Sequence, residues 1–385
     1  MPCLMPSLDP ADAAANLGKL LSPRIDPAPF QPCIRRLRAM FAAFATSCPP
    51  PWPAPGLALT PEIHCQSELW LPLAEIRPAF HRIYRAALSH SPILSSTPFG
   101  TARSWAAIVS AYPSFFPGST DPATLLERLL ADGDQRAAFL FRSFLPERFY
   151  GSDPLRYPTQ TAFVAAWLAD RDRSRGPLRC LDAACGDGSG SYGLARLLLE
   201  AGYGAGEFSI EGWTIDPLEV WAAAHAAFPH DLKRQASFRQ WAAPVFEAKA
   251  QSSVLFKSVD LLGYRGQVPP FAKWGGGGIS PTAELQSLPV PLGQAYGSPL
   301  LKGEAQFDLI LCNGLLGGPI IHQREELTRV TGNLAALLRP GGLLLAADRF
   351  HGGWKRHCPE EALGVVFKAC GLVVSKAGEG LAGGW

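Results

Sequence analysis

The sequence predicts an α/β fold in which an all-helical N-terminal region precedes a doubly wound, mostly parallel sheet. Three observations carry that prediction. From residue 178 onward, short apolar runs alternate with amphipathic helical patterns, the order that a sheet covered on both faces requires. The first such run, Leu178–Asp182, opens into a turn containing Gly186, Gly188 and Gly190, after which Leu194, Leu197 and Leu198 mark one face of a helix. Before residue 146 the apolar spacing is helical. The sheet is therefore expected to be Rossmann-like, with any ligand at the carboxyl ends of its strands.

Residues 1–146 form the helical region. Asp9-Pro10 caps a first helix reaching Leu21, since Pro suits the first helical turn. A second helix runs from Ile34 to Ala45, with Arg35, Arg36 and Arg38 toward solvent. Cys48-Pro-Pro-Pro-Trp-Pro-Ala-Pro55 belongs to a stiff Pro-rich linker near residues 48–60. From Glu68 onward, Leu69, Leu73, Ile76, Phe80, Ile83 and Ala87 step by three or four, and Pro72 and Pro78 should kink or divide that helix. Arg77, His81, Arg82 and Arg85 lie on its other side, most simply a solvated face. Asp121-Pro122 begins another helix, and a further one covers Gln135 to Leu145.

Residues 147–385 form the second domain. An aromatic connector, Glu147–Pro158, leads to a helix over Thr159–Leu168 and then to the strand before the glycine turn. Phe208–Ile215 is the second strand, ending at Asp216-Pro217, and Leu218–Phe228 is its helix. Val254–Val259 is the third strand, ending at Asp260. A Gly/Pro-rich insertion at 263–303 reads as a long loop. Phe307–Cys312 is the fourth strand, ending at Asn313, and Leu327, Val330, Leu334, Leu337 and Leu338 line one face of the helix that follows. Arg339-Pro-Gly-Gly342 turns the chain into a fifth strand, Leu343–Ala347. Pro359–Cys370 is expected to be helical and Leu372–Lys376 to be a sixth strand.

Composition narrows the function classes. Apolar residues make up 47% of the chain, enough for a substantial core, and the formal charge of +2 gives no ground for a nucleic-acid or anionic-membrane partner. Nine irregularly spaced cysteines suit a reducing cytoplasm better than a disulfide framework. The N-terminal residues lack the pattern of a secretory signal, and the run from Leu309 to Ile321 is too short and too interrupted by Asn313 and glycines to span a bilayer. A cytoplasmic protein without membrane insertion is expected.

The charge of the glycine turn points away from phosphate. A phosphate cradle favours amide donors and a nearby Lys, whereas this turn has no Lys and carries Asp182 and Asp187, which suit an amino group. Four strand ends carry polar groups. A carboxylate at the second accepts the two ribose hydroxyls of a nucleoside, and one at the third accepts an adenine amino group. An amino acid at one end and adenosine at the other describe S-adenosylmethionine. The residues assigned to it are Asp182, Ala183, Gly186, Asp187, Gly188 and Gly190 on the first loop, with Asp216 and Pro217 on the second. Val259, Asp260 and Leu261 on the third loop and Asn313 and Gly314 on the fourth complete the set. No metal site is expected: Cys180 and Cys185, and His357-Cys358, lack a second pair at ligand spacing.

These stretches resemble a known family. Asp182-Ala-Ala-Cys-Gly-Asp-Gly-Ser-Gly-Ser-Tyr-Gly-Leu-Ala195, Gly212–Leu218, Phe256–Leu262, Phe307–Asn313 and Leu338–Gly342 are similar to class I S-adenosylmethionine-dependent methyltransferases, and among them to the chemotaxis-receptor (CheR-type) group. The resemblance implies S-adenosylmethionine as cofactor and a protein glutamate as acceptor. It also shows departures. That group places Arg-Asp after an aromatic pair, but Phe149-Tyr150 is followed here by Gly151-Ser152-Asp153, leaving Arg148 or Arg156 to take the arginine's place. Its Glu-Glu in the glycine loop is replaced by Gly188-Ser189. An acceptor with a nitrogen or hydroxyl needs a base, for which His322, Asp348 and His351 are candidates by position, and Tyr192 is a candidate for orienting substrate.

Other readings stay open at this point. A small-molecule acceptor and a non-catalytic cofactor- or receptor-binding module are both compatible with the same loops. A nicotinamide dehydrogenase is disfavoured by the acidic turn, and a serine hydrolase by the absence of a Gly-x-Ser-x-Gly frame around Ser189 and Ser191.

Overall fold

A computed structural model describes residues 2–47, 58–145, 157–261, 306–316, 324–346, 364–368 and 371–375. Outside the described residues lie most of the Pro-rich linker and of the aromatic connector, the whole 263–303 insertion, and Arg148, Arg156, His322, Asp348 and His351.

The chain opens on a two-residue strand, β1 (Cys3–Leu4), and continues through α1 (Pro10–Gly18), α2 (Gln31–Ser47), α3 (Pro61–Trp70) and α4 (Leu73–Ala87). Then come α5 (Pro98–Thr101), α6 (Trp105–Ala111), α7 (Pro122–Ala131), α8 (Gly133–Phe144) and α9 (Pro158–Ala169). The starts follow their caps. Asp9 and Asp121 each accept from the backbone amide two residues ahead, with Pro in the first turn. Pro72 divides α3 from α4 as its missing N–H dictates, while Pro78 is accommodated inside α4. The basic face of α4 is partly consumed within the protein: Arg77 donates to the carbonyls of Phe99 and Ala102, and Arg82 to that of Pro29.

The sheet begins with β2 (Leu178–Asp182), α10 (Ser189–Glu200), β3 (Phe208–Thr214), α11 (Pro217–His225), α12 (Leu232–Glu247) and β4 (Val254–Ser258). It ends with β5 (Phe307–Leu311), α13 (Arg324–Leu337), β6 (Leu338–Ala346), β7 (Gly364–Lys368) and β8 (Gly371–Ser375). The order across the eight strands is β1-β4-β3-β2-β5-β6-β8-β7. Strands β4, β3, β2, β5 and β6 are parallel, and β8 and β7 close one side as an antiparallel pair. The winding moves outward from β2 to β3 and β4 and then resumes on the other side of β2 with β5, so the order reverses beside β2. A crevice at such a reversal is where open α/β sheets bind ligands.

Three expectations are corrected, and one element is added. The N-terminal region is not all-helical, because β1 pairs antiparallel with β4, Cys3 opposite Lys257 and Leu4 opposite Phe256. An outer strand with open amides and carbonyls is a template for any extended segment, and β1 covers it. Residues 364–368 form β7 rather than part of a helix: Val365, Val366 and Phe367 are strand formers, and so short a run has no periodicity to tell the two apart. The polar helix α12, begun by Asp231, is an element the sequence reading does not assign. Finally, Arg339-Pro-Gly-Gly342 is drawn into β6 with a shift of register against β5, rather than preceding the strand as a free turn.

The N-terminal helices bury an aromatic cluster in which Phe80 stacks on Phe99 at 4.3 Å and Tyr84 on Phe139 at 5.6 Å. The hydroxyls inside it are satisfied by one another, Ser143 Oγ lying 2.8 Å from Tyr84 Oη and 2.7 Å from Tyr112 Oη. This core runs on into the sheet through Phe141, which stacks on Trp221 of α11 at 5.4 Å.

Candidate active site

The register of the sheet explains where the strand-end residues fall. Thr214 pairs with Ser258 at the ends of β3 and β4, so Asp216 and Asp260 each lie two residues beyond the last paired position. Asn313 likewise lies two residues beyond Leu311, the end of β5. Asp182 pairs with Gly212 and Leu311 and therefore sits deeper, four residues short of the level of Asp216. The turn after it climbs between its neighbours: Ala183 N–H donates to Leu311 and Cys185 N–H to Trp213, both carbonyls. All four residues are at one edge of the sheet, in the spatial order Asp260, Asp216, Asp182, Asn313.

Depth decides the state of Asp182. Its side chain is buried, it accepts from Ser191 Oγ at 2.8 Å, and burial pushes its pKa up to about 6 against the ordinary 3.8, the Ser191 hydrogen bond opposing the rise. A carboxyl whose folded pKa is raised holds its proton more tightly in the folded chain than in the unfolded one. Its contribution is therefore present below about pH 4 and is lost as pH rises to about 6. Asp182→Asn should remove that slope: denaturant midpoints at pH 4, 5, 6 and 7 should converge on wild type at the acid end and exceed it at pH 7. Parallel curves would show that Asp182 is not the titrating group.

Asp187, the second carboxylate of the turn, is engaged inside the protein. It accepts from Ser189 N–H at 3.0 Å and Ser189 Oγ at 2.7 Å, and it forms an ion pair with Arg234 of α12, both side chains about nine-tenths buried. Arg234 also lies over the Phe228 ring. The turn is thus less acidic than its sequence suggests, because its counter-charge arrives from a helix 47 residues away. Gly188 has φ +85°, and a Cβ there would come within 2.8 Å of Ala223 Cβ and 3.1 Å of the Phe256 ring. At Gly190 a Cβ would lie 2.9 Å from Asp182 Oδ2. These two glycines make room for protein atoms.

Asp216 caps α11, accepting from Leu218 N–H at 2.8 Å. Pro217 occupies the first turn of that helix and is buried. Asn313 exchanges hydrogen bonds with Gln160 of α9, Asn313 Nδ2 to Gln160 Oε1 at 2.7 Å and Gln160 Nε2 to Asn313 Oδ1 at 3.1 Å. Gln160 is only 4% exposed, and no sequence signal marks it beyond its place on a helix before the first sheet strand. Val259 and Leu261 are buried beside half-buried Asp260, and Val259 N–H donates to Thr214. Gly314 takes φ +79° directly after Asn313. Tyr192 is not available to a substrate. It is fully buried, donates to Ala223 O at 3.1 Å, packs edge-on to Phe238, and burial raises its pKa.

No family model matches the chain. The probable biofilm formation methyltransferase WspC of Pseudomonas putida is 24% identical over 219 residues, covering 56% of this chain and 44% of that protein. The matched region therefore spans less than half of that relative's length. Among solved structures, the N-methyltransferase NodS of Bradyrhizobium japonicum in complex with S-adenosyl-L-homocysteine is 14% identical, covering 69% of this chain and 96% of that one at a TM-score of 0.30. An O-methyltransferase family protein from Burkholderia thailandensis is also 14% identical, covering 83% and 99% at 0.30. Among the described residues no helix is long and apolar enough to cross a membrane. The strand order, with the reversal beside β2 and the antiparallel pair at the far side, makes this a Rossmann-like, doubly wound, mostly parallel sheet.

Proposed function

We propose that this chain is an S-adenosylmethionine-dependent methyltransferase whose acceptor is a carboxylate on a protein, as in the CheR-type group. The observation that carries the cofactor is the convergence of Asp260, Asp216, Asp182 and Asn313 at one edge of the sheet, in the order adenine, ribose, amino acid. The donor set fits the group: a buried carboxyl held at about pKa 6 gains most from a neighbouring ammonium, which favours its ionised form. Asp182 would hold the amino group, Asp216 the ribose hydroxyls and Asp260 the adenine amino group. Asn313, braced by Gln160, would line the side toward the acceptor. When bound, the cofactor supplies a methyl group on a positively charged sulfur.

The chain's own task is then alignment and exclusion of water, which supply much of the rate of a displacement between held groups. A carboxylate acceptor is ionised at neutral pH and requires no base. The similarity to WspC, a methyltransferase by name, supports the transferase reading, and the similarity of the Asp182–Ala195 loop to the CheR-type group supports a carboxylate acceptor.

Incubating the protein with methyl-labelled S-adenosylmethionine and lysate should transfer label to protein, and mild alkali should release it as methanol. Base-stable label would replace the carboxylate by a nitrogen acceptor or an ether-forming hydroxyl. Label confined to small molecules would move the acceptor out of proteins. Cofactor binding without any transfer would make the chain a binding module.

A further inference from the structure

Asp216 meets a histidine from the N-terminal region. His90, in the segment after α4, places Nε2 3.9 Å from Oδ1 of Asp216, and each side chain is 13% exposed. At that exposure a protonated His90 would attract the carboxylate with less screening than on an open surface. The same oxygen accepts from Leu218 N–H, so the helix amide and the histidine ring both face Oδ1.

The placement of His90 is built. Around Ala87–Ser89 the chain is fastened to the end of α1. Ser22 N–H donates to Ala87 O at 2.8 Å, Ser89 N–H to Leu20 O at 2.9 Å, and Ser89 Oγ–H to Lys19 O at 2.8 Å, with Leu21 and Leu88 bridged antiparallel. The α1 segment is in turn fastened to α11, the helix that Asp216 caps. Trp221 Nε1–H donates to Ala13 O at 2.8 Å, and Ser7 N–H to Ala224 O at 2.9 Å. His225 Nδ1 lies 2.8 Å from Ser7 O, which accepts only, so this nitrogen carries the proton and Nε2 accepts from Asn16 Nδ2 at 3.1 Å. Contacts therefore run from Asp216 through α11 and α1 to His90 and back to Asp216. The N-terminal segment closes a ring around the second strand end.

We infer that His90 is a positioning residue for the cofactor's ribose: acting through Asp216, it holds that carboxylate in the orientation the two hydroxyls require. This rests on the proposed role of Asp216 as the ribose acceptor. The test is calorimetric titration of the full chain with S-adenosylhomocysteine, in a cycle of His90→Ala and Asp216→Asn, with denaturant midpoints measured alongside. His90→Ala should weaken binding about threefold, the scale of a partly screened ion pair. His90→Gln, which keeps a polar side chain but carries no charge, should recover little of the loss. In the Asp216→Asn background His90→Ala should change affinity by less than about 1.5-fold, the mark of two residues acting as one. Unchanged affinity in His90→Ala, or an equal loss in both backgrounds, overturns the inference while the ribose role stands. Full-strength binding by Asp216→Asn, or none by the wild type, overturns the ribose role and the inference with it.

Discussion

Replacing Asp216 by Asn should weaken S-adenosylhomocysteine binding about thirtyfold, a loss of about 2 kcal/mol, while leaving the fold in place. The size follows from charge. Hydrogen bonds to an ionised acceptor contribute about 1.5–3 kcal/mol and those between neutral groups about 1 kcal/mol, and in the proposed ribose role two hydroxyls would meet the change together. The stability half follows from capping. Asp216 is the N-cap of α11, and Asn caps as well as Asp does, so the helix start survives. Asp216→Ala separates the two roles further. It should lose about 100-fold in affinity and also about 1 kcal/mol of stability, because the Leu218 amide loses its partner. Calorimetry and denaturant unfolding on the same preparations read the two quantities independently. Stability loss without affinity loss would make Asp216 a helix cap and nothing more. NAD offers a control, since the same carboxylate in a dinucleotide site would bind it too.

How much of this is legible in the sequence depends on the range of each interaction. Asp216, Asp260 and Asn313 can be placed from sequence because each follows an apolar run by a fixed offset, and a parallel sheet turns that offset into a common edge. Caps at Asp9 and Asp121 are legible because a cap and its helix are adjacent. What a sequence hides is contact between distant segments. Gln160 meets Asn313 across 153 residues, and Arg234 meets Asp187 across 47. His90 comes to Asp216 because the α1 segment is fastened both to Ala87–Ser89 and to α11. Tyr192 looks available to a substrate for the same reason, because the second layer that buries it is supplied by α11, α12 and β4. Nor can a pattern of glycines say whether the space they leave belongs to a ligand or to the protein.

Gly188 makes that last point testable. A glycine that only admits ligand should tolerate Ala in stability and lose affinity, whereas Gly188→Ala should destabilise the protein outright. Two costs add. The left-handed backbone at φ +85° disfavours any side chain by about 1 kcal/mol. The new Cβ would lie 2.8 Å from Ala223 Cβ and 3.1 Å from the buried Phe256 ring, and overpacking of this kind costs about 2 kcal/mol more. The expected total is about 3 kcal/mol. Gly206 is the internal control. It takes φ +91° with open space around the position a Cβ would occupy, so Gly206→Ala should cost only the backbone share, about 1 kcal/mol. The difference between the two variants, read from denaturant midpoints at unchanged slope, isolates the steric part. Equal midpoints would mean that the Gly188 contacts with α11 and β4 relax without cost. A large gap would mean that the turn is shaped first by its packing on Ala223 and Phe256, so that Asp182 and Asp187 are held in place before any ligand arrives.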